Sequence, residues 1–138
     1  MVVALTTARQ KKITIYSDFK KDIEISPLSN DLAVLKDEDA VKESIKNLIL
    51  TNKGERLMQP QIGGNVTAML FENMTPAIIK IMEEQIRETI NTYEPRATLI
   101  DVNVTADYDN NTVRARIEFF ITNQEQPVEI TVFLERTR

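Results

Sequence analysis

The chain of 138 residues contains no cysteine, no histidine and no tryptophan. The missing cysteines exclude a disulfide framework, a thiolate nucleophile and a Cys-based zinc site. The missing histidines remove the commonest general base and the commonest metal ligand together. Aromatic residues are only 6% of the chain, so a core must be built from Ile, Leu and Val. No stretch approaches the roughly 20 apolar residues of a membrane span, and the N-terminus lacks a signal peptide's apolar core. The expectation is a chain that stays in the cytoplasm where it is made. Glycine occurs three times, and the Gly63-Gly64 pair has neither the spacing nor the lysine of a phosphate-binding loop. Net charge is −4, with Lys and Arg scattered, so the basic patch that dominates nucleic-acid affinity is missing. No nucleic acid, membrane, small-molecule substrate, cofactor or metal is expected as a partner.

What is present suits a single domain, expected over residues 13–138, with a flexible N-terminal arm at 1–12. The arm is polar and mildly basic, and reads either as a frayed terminus or as a segment that orders on a partner. Ile13-Thr14-Ile15-Tyr16 and Asp31-Leu32-Ala33-Val34-Leu35 are short extended candidates for a sheet edge, separated by Ser-Pro and Ser-Asn turn signals. Asp37 is placed to cap a first helix, with Glu38 and Asp39 where the helix dipole favours negative charge. Val41, Ile45, Leu48 and Ile49 form its apolar stripe. Asn52-Lys53-Gly54 is its expected stop, with Gly54 in the left-handed position. A short helix at 66–71 should bring Met69, Leu70 and Phe71 over the core.

The most explicit signals flank a third helix at 75–92. Thr75 is its N-cap, Pro76 its first position, and Ile79, Met82, Ile86, Ile90 and Tyr93 recur at helical spacing. Pro95 pushes Glu94 out of the α region, so the helix should end near Tyr93. Glu94 and Arg96, two apart on extended backbone, then point to the same side.

The last third reads as a strand meander. Ile100, Val102, Val104 and Ala106 alternate on one strand, and Val113, Ala115, Ile117, Phe119 and Ile121 on the next. A two-residue turn at Asp109-Asn110 pairs Ala106 with Val113, Val104 with Ala115 and Val102 with Ile117, which puts every apolar residue on one face. In the third strand, Val128, Ile130, Val132 and Leu134 take the same face, with Glu135 across from Arg114 or Arg116. The fold class is α+β in two layers, two main helices and a short one packed on a mostly antiparallel sheet.

Three blocks, Asn52-Lys53-Gly54-Glu55-Arg56, Leu70-Phe71-Glu72-Asn73-Met74-Thr75-Pro76 and Glu94-Pro95-Arg96, resemble the baseplate wedge or sheath-initiator family of contractile-tailed bacteriophages. That family has members in type VI secretion and other contractile injection machines. Gln61-Ile62-Gly63-Gly64 departs from it, since an aromatic often precedes the glycine there. The resemblance implies a structural virion component, made in the host cytoplasm, with wedge core proteins, a neighbouring small wedge subunit and the tail sheath protein as partners. It implies that Glu94, Pro95 and Arg96 dock on the helical core bundle, with Arg96 as the anchor. Glu55 and Arg56 would face neighbouring subunits, where the bland reading is a pair of solvated charges. Glu72 and Asn73 are further contact candidates. Val128, Ile130, Val132 and Leu134 mark a strand whose open edge could accept a sheath strand.

The family has also carried a lysozyme label. A glycosidase needs two carboxyl groups at a set separation, one with a raised pKa. Glu55 and Glu94 are the least arbitrary pair, yet each has an arginine beside it that favours the ionised form. A peptidoglycan-cleaving hydrolase and a generic soluble adaptor stand as the alternatives to assembly.

Overall fold

The apolar periodicities place eight elements, seen in a computed structural model that describes residues 15–110, 112–122 and 124–135. In chain order they are β1 (Ser17–Phe19), β2 (Val34–Lys36), α1 (Glu38–Leu50), α2 (Val66–Met69), α3 (Pro76–Tyr93), β3 (Ala97–Asp107), β4 (Thr112–Ile121) and β5 (Pro127–Glu135). The expected arm at 1–12 and Ile13-Thr14 lie outside the described residues. β3, β4 and β5 form one antiparallel sheet, and β1 pairs with β2 in a separate small one. Ile45 and Ile49 of α1 and Met82, Ile86 and Ile90 of α3 meet Val102, Val104, Ala115, Ile117, Phe119 and Leu134 of the sheet. Each such burial contributes about 1.5–3 kcal/mol, so this aliphatic layer carries the stability that the missing disulfides cannot.

The β3–β4 register is the expected one, with Ala106, Val104 and Val102 opposite Val113, Ala115 and Ile117. Its lower part differs. The pairing shifts between Leu99 and Asp101, a β-bulge that leaves Ile100 unpaired. Ile100 is therefore 41% exposed, and Ala97 and Leu99 take the inward places below it. The β4–β5 register also departs from both expected choices, because Glu135 lies across from Thr112. Thr122 bonds back to β3 through its N–H and hydroxyl, both donating to the Arg96 carbonyl. The chain turns at once, with Gln124 N–H donating to Ile121, so β5 enters two residues further along β4. Arg116, across from Thr131, then reaches diagonally to Glu129 at 3.1 Å, and Glu129 lies across from Glu118.

Four local expectations are corrected. A strand lies at Ser17–Phe19, and Ile15 and Tyr16 of the expected segment precede it outside any strand. Asp37 stands at the N-cap, but its side chain makes no cap hydrogen bond and instead accepts from Ile15 and Tyr16 N–H at 2.8 and 3.2 Å. Phe71 is 58% exposed, since α2 ends at Met69 and only Leu70 of the trio is fully buried. Gly54 does have positive φ, but α1 has already ended at Leu50, so the glycine serves the loop that follows.

Candidate docking surface

Helix α3 ends where the sequence implies, but Glu94 to Ala97 form a turn, with Ala97 N–H donating to the Glu94 carbonyl at 3.2 Å, in place of the expected extended backbone. Glu94 closes the helix with its N–H on the Ile90 carbonyl at 2.9 Å, then leaves helical geometry with φ −123° and ψ 78°. Pro95 prevents continuation and returns the chain so that Arg96 faces Glu94. The guanidinium forks onto the carboxylate, Nε to Oε1 at 2.6 Å and Nη2 to Oε2 at 2.7 Å. The Ser44 hydroxyl of α1 donates to Oε2 at 2.5 Å. Glu94 is 2% exposed. Burial pushes its carboxyl pKa up, but the hydrogen bonds from Arg96 and Ser44 and the guanidinium charge outweigh it and hold the group below its ordinary value. Arg96 is correspondingly more basic than usual, chiefly through Glu94. Its side chain is 28% exposed, and the Tyr16 ring lies 5.5 Å from the guanidinium carbon. Tyr16 is tied to Asp37 at both its N–H and its carbonyl, so the ring is held over the arginine.

Glu55 and Arg56 belong to the same region. A groove beside α1 is lined by Ser44, Asn47 and Leu48 on one side, Glu55 and Arg56 on another, and Asp18 of β1. Glu55 is not a loose charge. Its carboxylate accepts from Asn52 N–H and the Asn52 side-chain amide, both at 2.9 Å, which depresses its pKa. Arg56 is exposed and has no ion pair among the described residues.

Glu72 and Asn73 do not join this surface. They precede α3 and open onto the β3–β4 turn, beside Asp107 and Tyr108. The 18 residues of α3 put about 27 Å between them and the Glu94 end.

The sheet edges differ in kind. Val104 N–H of β3 points away from β4 and donates to Glu83 of α3 at 3.1 Å, and Arg87 reaches Asp101 at 3.6 Å. The helix thus guards the β3 edge. Antiparallel alternation carries that orientation across the sheet: Ala115 faces β5, and Val132 faces back. Val128, Ile130, Val132 and Leu134 therefore turn their backbone groups to β4 and their side chains to the core. The outward backbone groups belong to Glu129, Thr131, Phe133 and Glu135, a set the apolar pattern of the strand did not signal. Pro127 falls in the same alternate set, where its missing N–H costs no ladder bond.

Among the described residues no acidic cluster could hold a metal, and no helix is long and apolar enough to cross a membrane. A family model described as baseplate wedge protein gp25 matches residues 35–126. The baseplate wedge protein gp25 of Enterobacteria phage T4 is 30% identical over 115 residues, 83% of this chain and 86% of that protein. A chain of the anti-feeding prophage (AFP) baseplate, seen by cryo-EM, superposes with a TM-score of 0.68 at 29% identity, covering 80% of this chain and 88% of that one. A Geobacter sulfurreducens protein provisionally described as a tail lysozyme shares the fold at 21% identity, with a TM-score of 0.69 over 77% of this chain and 97% of that one.

Proposed function

The chain belongs to the gp25 baseplate wedge family, and from that premise we propose that this baseplate wedge protein docks on the helical wedge core through Glu94, Pro95 and Arg96 and offers its β5 edge to the tail sheath. The observation that carries the docking reading is the clasp itself. Glu94, Ser44 and Tyr16 hold a partly exposed guanidinium on a proline-stiffened turn, so little ordering cost remains for a partner to meet. Nε and Nη2 are committed to Glu94, and the open side of the guanidinium retains donors for a carboxylate or the carbonyls at a helix C-terminus. Glu55 and Arg56 add the groove wall beside it, toward the core or the neighbouring small wedge subunit. Glu72 and Asn73, at the far end of α3, suit a different neighbour. The chain would reside in the tail baseplate, after assembly in the host cytoplasm.

Native mass spectrometry of the chain with the wedge core proteins of its own tail tests the docking. The wild type should form a complex, and Glu94→Gln/Arg96→Gln, which removes the charges in matched pairs, should lose it while staying folded. Equal binding by both would overturn the docking role. For the sheath reading, Thr131→Pro is the cleaner probe, because deleting β5 would strip Val132 and Leu134 from the core. It removes one outward N–H without breaking the β4 ladder. Wedges carrying it should assemble but fail to start sheath; normal sheath growth would refute the edge.

A further inference from the structure

Residues 52–62 contain an arrangement that folding alone does not call for. Leu57 and Met58 are 98% and 95% exposed, more than almost any other apolar residue of the described chain. They occupy the two central positions of a turn closed by Gln59 N–H donating to the Arg56 carbonyl at 3.2 Å. Such positions are ordinarily filled by Gly, Pro, Asn, Asp or Ser. A second turn follows directly, Ile62 N–H to Gln59 carbonyl at 3.2 Å, with Pro60 fixing its backbone.

The loop is also braced. Asn52 holds the Glu55 carboxylate through two donors, and Gly54 N–H donates to the Pro60 carbonyl at 2.8 Å. At its base Gly63, with φ 126°, lies so close to the Thr51 carbonyl that a Cβ there would sit 2.4 Å from the oxygen. A loop pinned at both ends and across its middle presents its two apolar side chains in a fixed place. Exposed apolar residues scattered singly need no explanation, but an adjacent pair held outward at full exposure does.

Resting on the docking reading above, we infer that Leu57 and Met58 form an apolar anchor for the same wedge core partner that meets Arg96. The groove supplies the continuity. It runs from Arg56 and Glu55, at the foot of the anchor, to Ser44, which holds Glu94. Charge supplies the partner's chemistry. Asn52 holds the Glu55 carboxylate in place, whereas the Arg56 guanidinium is exposed and has no ion pair among the described residues, so it is the charged group at the foot of the anchor left to meet a partner. The fitting occupant is an apolar pocket between helices of the core bundle, with a carboxylate at its rim toward Arg56. Met58 suits such a pocket because its unbranched, polarisable side chain adapts to irregular shape. Clusters of this kind, a buried apolar centre beside a desolvated arginine, carry most of the energy at protein interfaces.

Full exposure makes the test clean, since Leu57→Ser/Met58→Ser removes nothing that the fold uses. Its melting temperature should match the wild type, and its affinity for the wedge core proteins should fall about 100-fold. Brief hydrogen peroxide treatment gives a second readout. Met58 should be oxidised ahead of the buried Met82 in the free chain and be protected in the complex. If Glu94→Gln/Arg96→Gln loses binding while the loop variant binds like the wild type and Met58 stays reactive in the complex, the anchor is refuted and the clasp stands. A wild-type chain that binds no wedge core protein overturns both.

Discussion

Removing Arg96 should damage the fold before it damages any assembly. In Arg96→Ala the Glu94 carboxylate, 2% exposed, loses a bidentate countercharge and keeps the Ser44 hydroxyl as its remaining side-chain donor. Breaking a buried pair from one side typically costs about 3–5 kcal/mol, because the remaining charge has been stripped of water without compensation. The arginine side chain is 28% exposed, so its departure lets solvent approach, and the lower end, about 3 kcal/mol, applies. For a domain of this size that corresponds to a fall in Tm of about 10 °C. The diagnostic step is a double-mutant cycle. Glu94→Gln placed on Arg96→Ala removes the stranded charge and should restore about half of the loss, so the coupling is at least about 1.5 kcal/mol, with the cost of Glu94→Gln alone added to it. Urea denaturation at neutral pH, followed by circular dichroism, measures all four corners. Coupling within about 0.5 kcal/mol of zero would mean the clasp is solvated and weak, and the case for a pre-organised arginine would fail with it.

Acid should weaken the clasp, with the sign fixed by Glu94's depressed pKa: its contribution is present above the ordinary value near 4.5 and is lost as pH falls through the lower folded value. The stability gap between wild type and Glu94→Gln should therefore narrow from pH 7 toward pH 3, and a constant gap would contradict the assignment. Gly63→Ala should cost at least about 2 kcal/mol, since its Cβ would strike the Thr51 carbonyl, while Gly54→Ala, open on all sides, should cost about 1 kcal/mol from its positive φ alone; thermal melts giving the reverse order would refute the loop geometry. Glu83→Ala should uncover the Val104 N–H and open the second sheet edge, seen as concentration-dependent association in sedimentation velocity and absent from the wild type. A peptidoglycan suspension should not clear in the presence of the chain, and clearing that disappears in Glu94→Gln would restore the hydrolase reading.

The parts of the fold that could be read from sequence are those decided within a few residues. Pro95 ends α3 where it must, and the upper β3–β4 register follows from the apolar alternation on both strands. The bulge at Ile100 was hidden because an apolar residue there continues the alternation by eye, and only the partner strand reveals the extra residue. Asp37 satisfies every local rule for a cap, yet its carboxylate is drawn away by N–H groups about 22 residues earlier, a competition no local rule contains. Within the proposed docking surface, Glu94 and Arg96 were visible as neighbours, but Ser44 lies 50 residues from Glu94 and carried no signal. Leu57-Met58 did leave a trace, two apolar residues between Gly54 and Pro60 with no periodic partner, and exposure gives that trace its meaning.

The two carboxylates that keep a hydrolase reading alive also argue against it, for the reason that favours docking. A glycosidase needs one carboxyl group kept protonated near neutral pH, which requires burial without a countercharge. Glu94 has the burial, but Arg96 and Ser44 more than reverse its effect. Glu55 has neither, being exposed and held ionised by Asn52. In both cases the acidic group is spent on geometry, Glu94 aiming a guanidinium and Glu55 bracing a loop. Among the described residues, what this surface leaves for a partner includes the open side of Arg96, the Arg56 charge and two apolar side chains. That set lacks a proton donor for a glycosidic oxygen, and it matches what a protein surface needs to hold another protein.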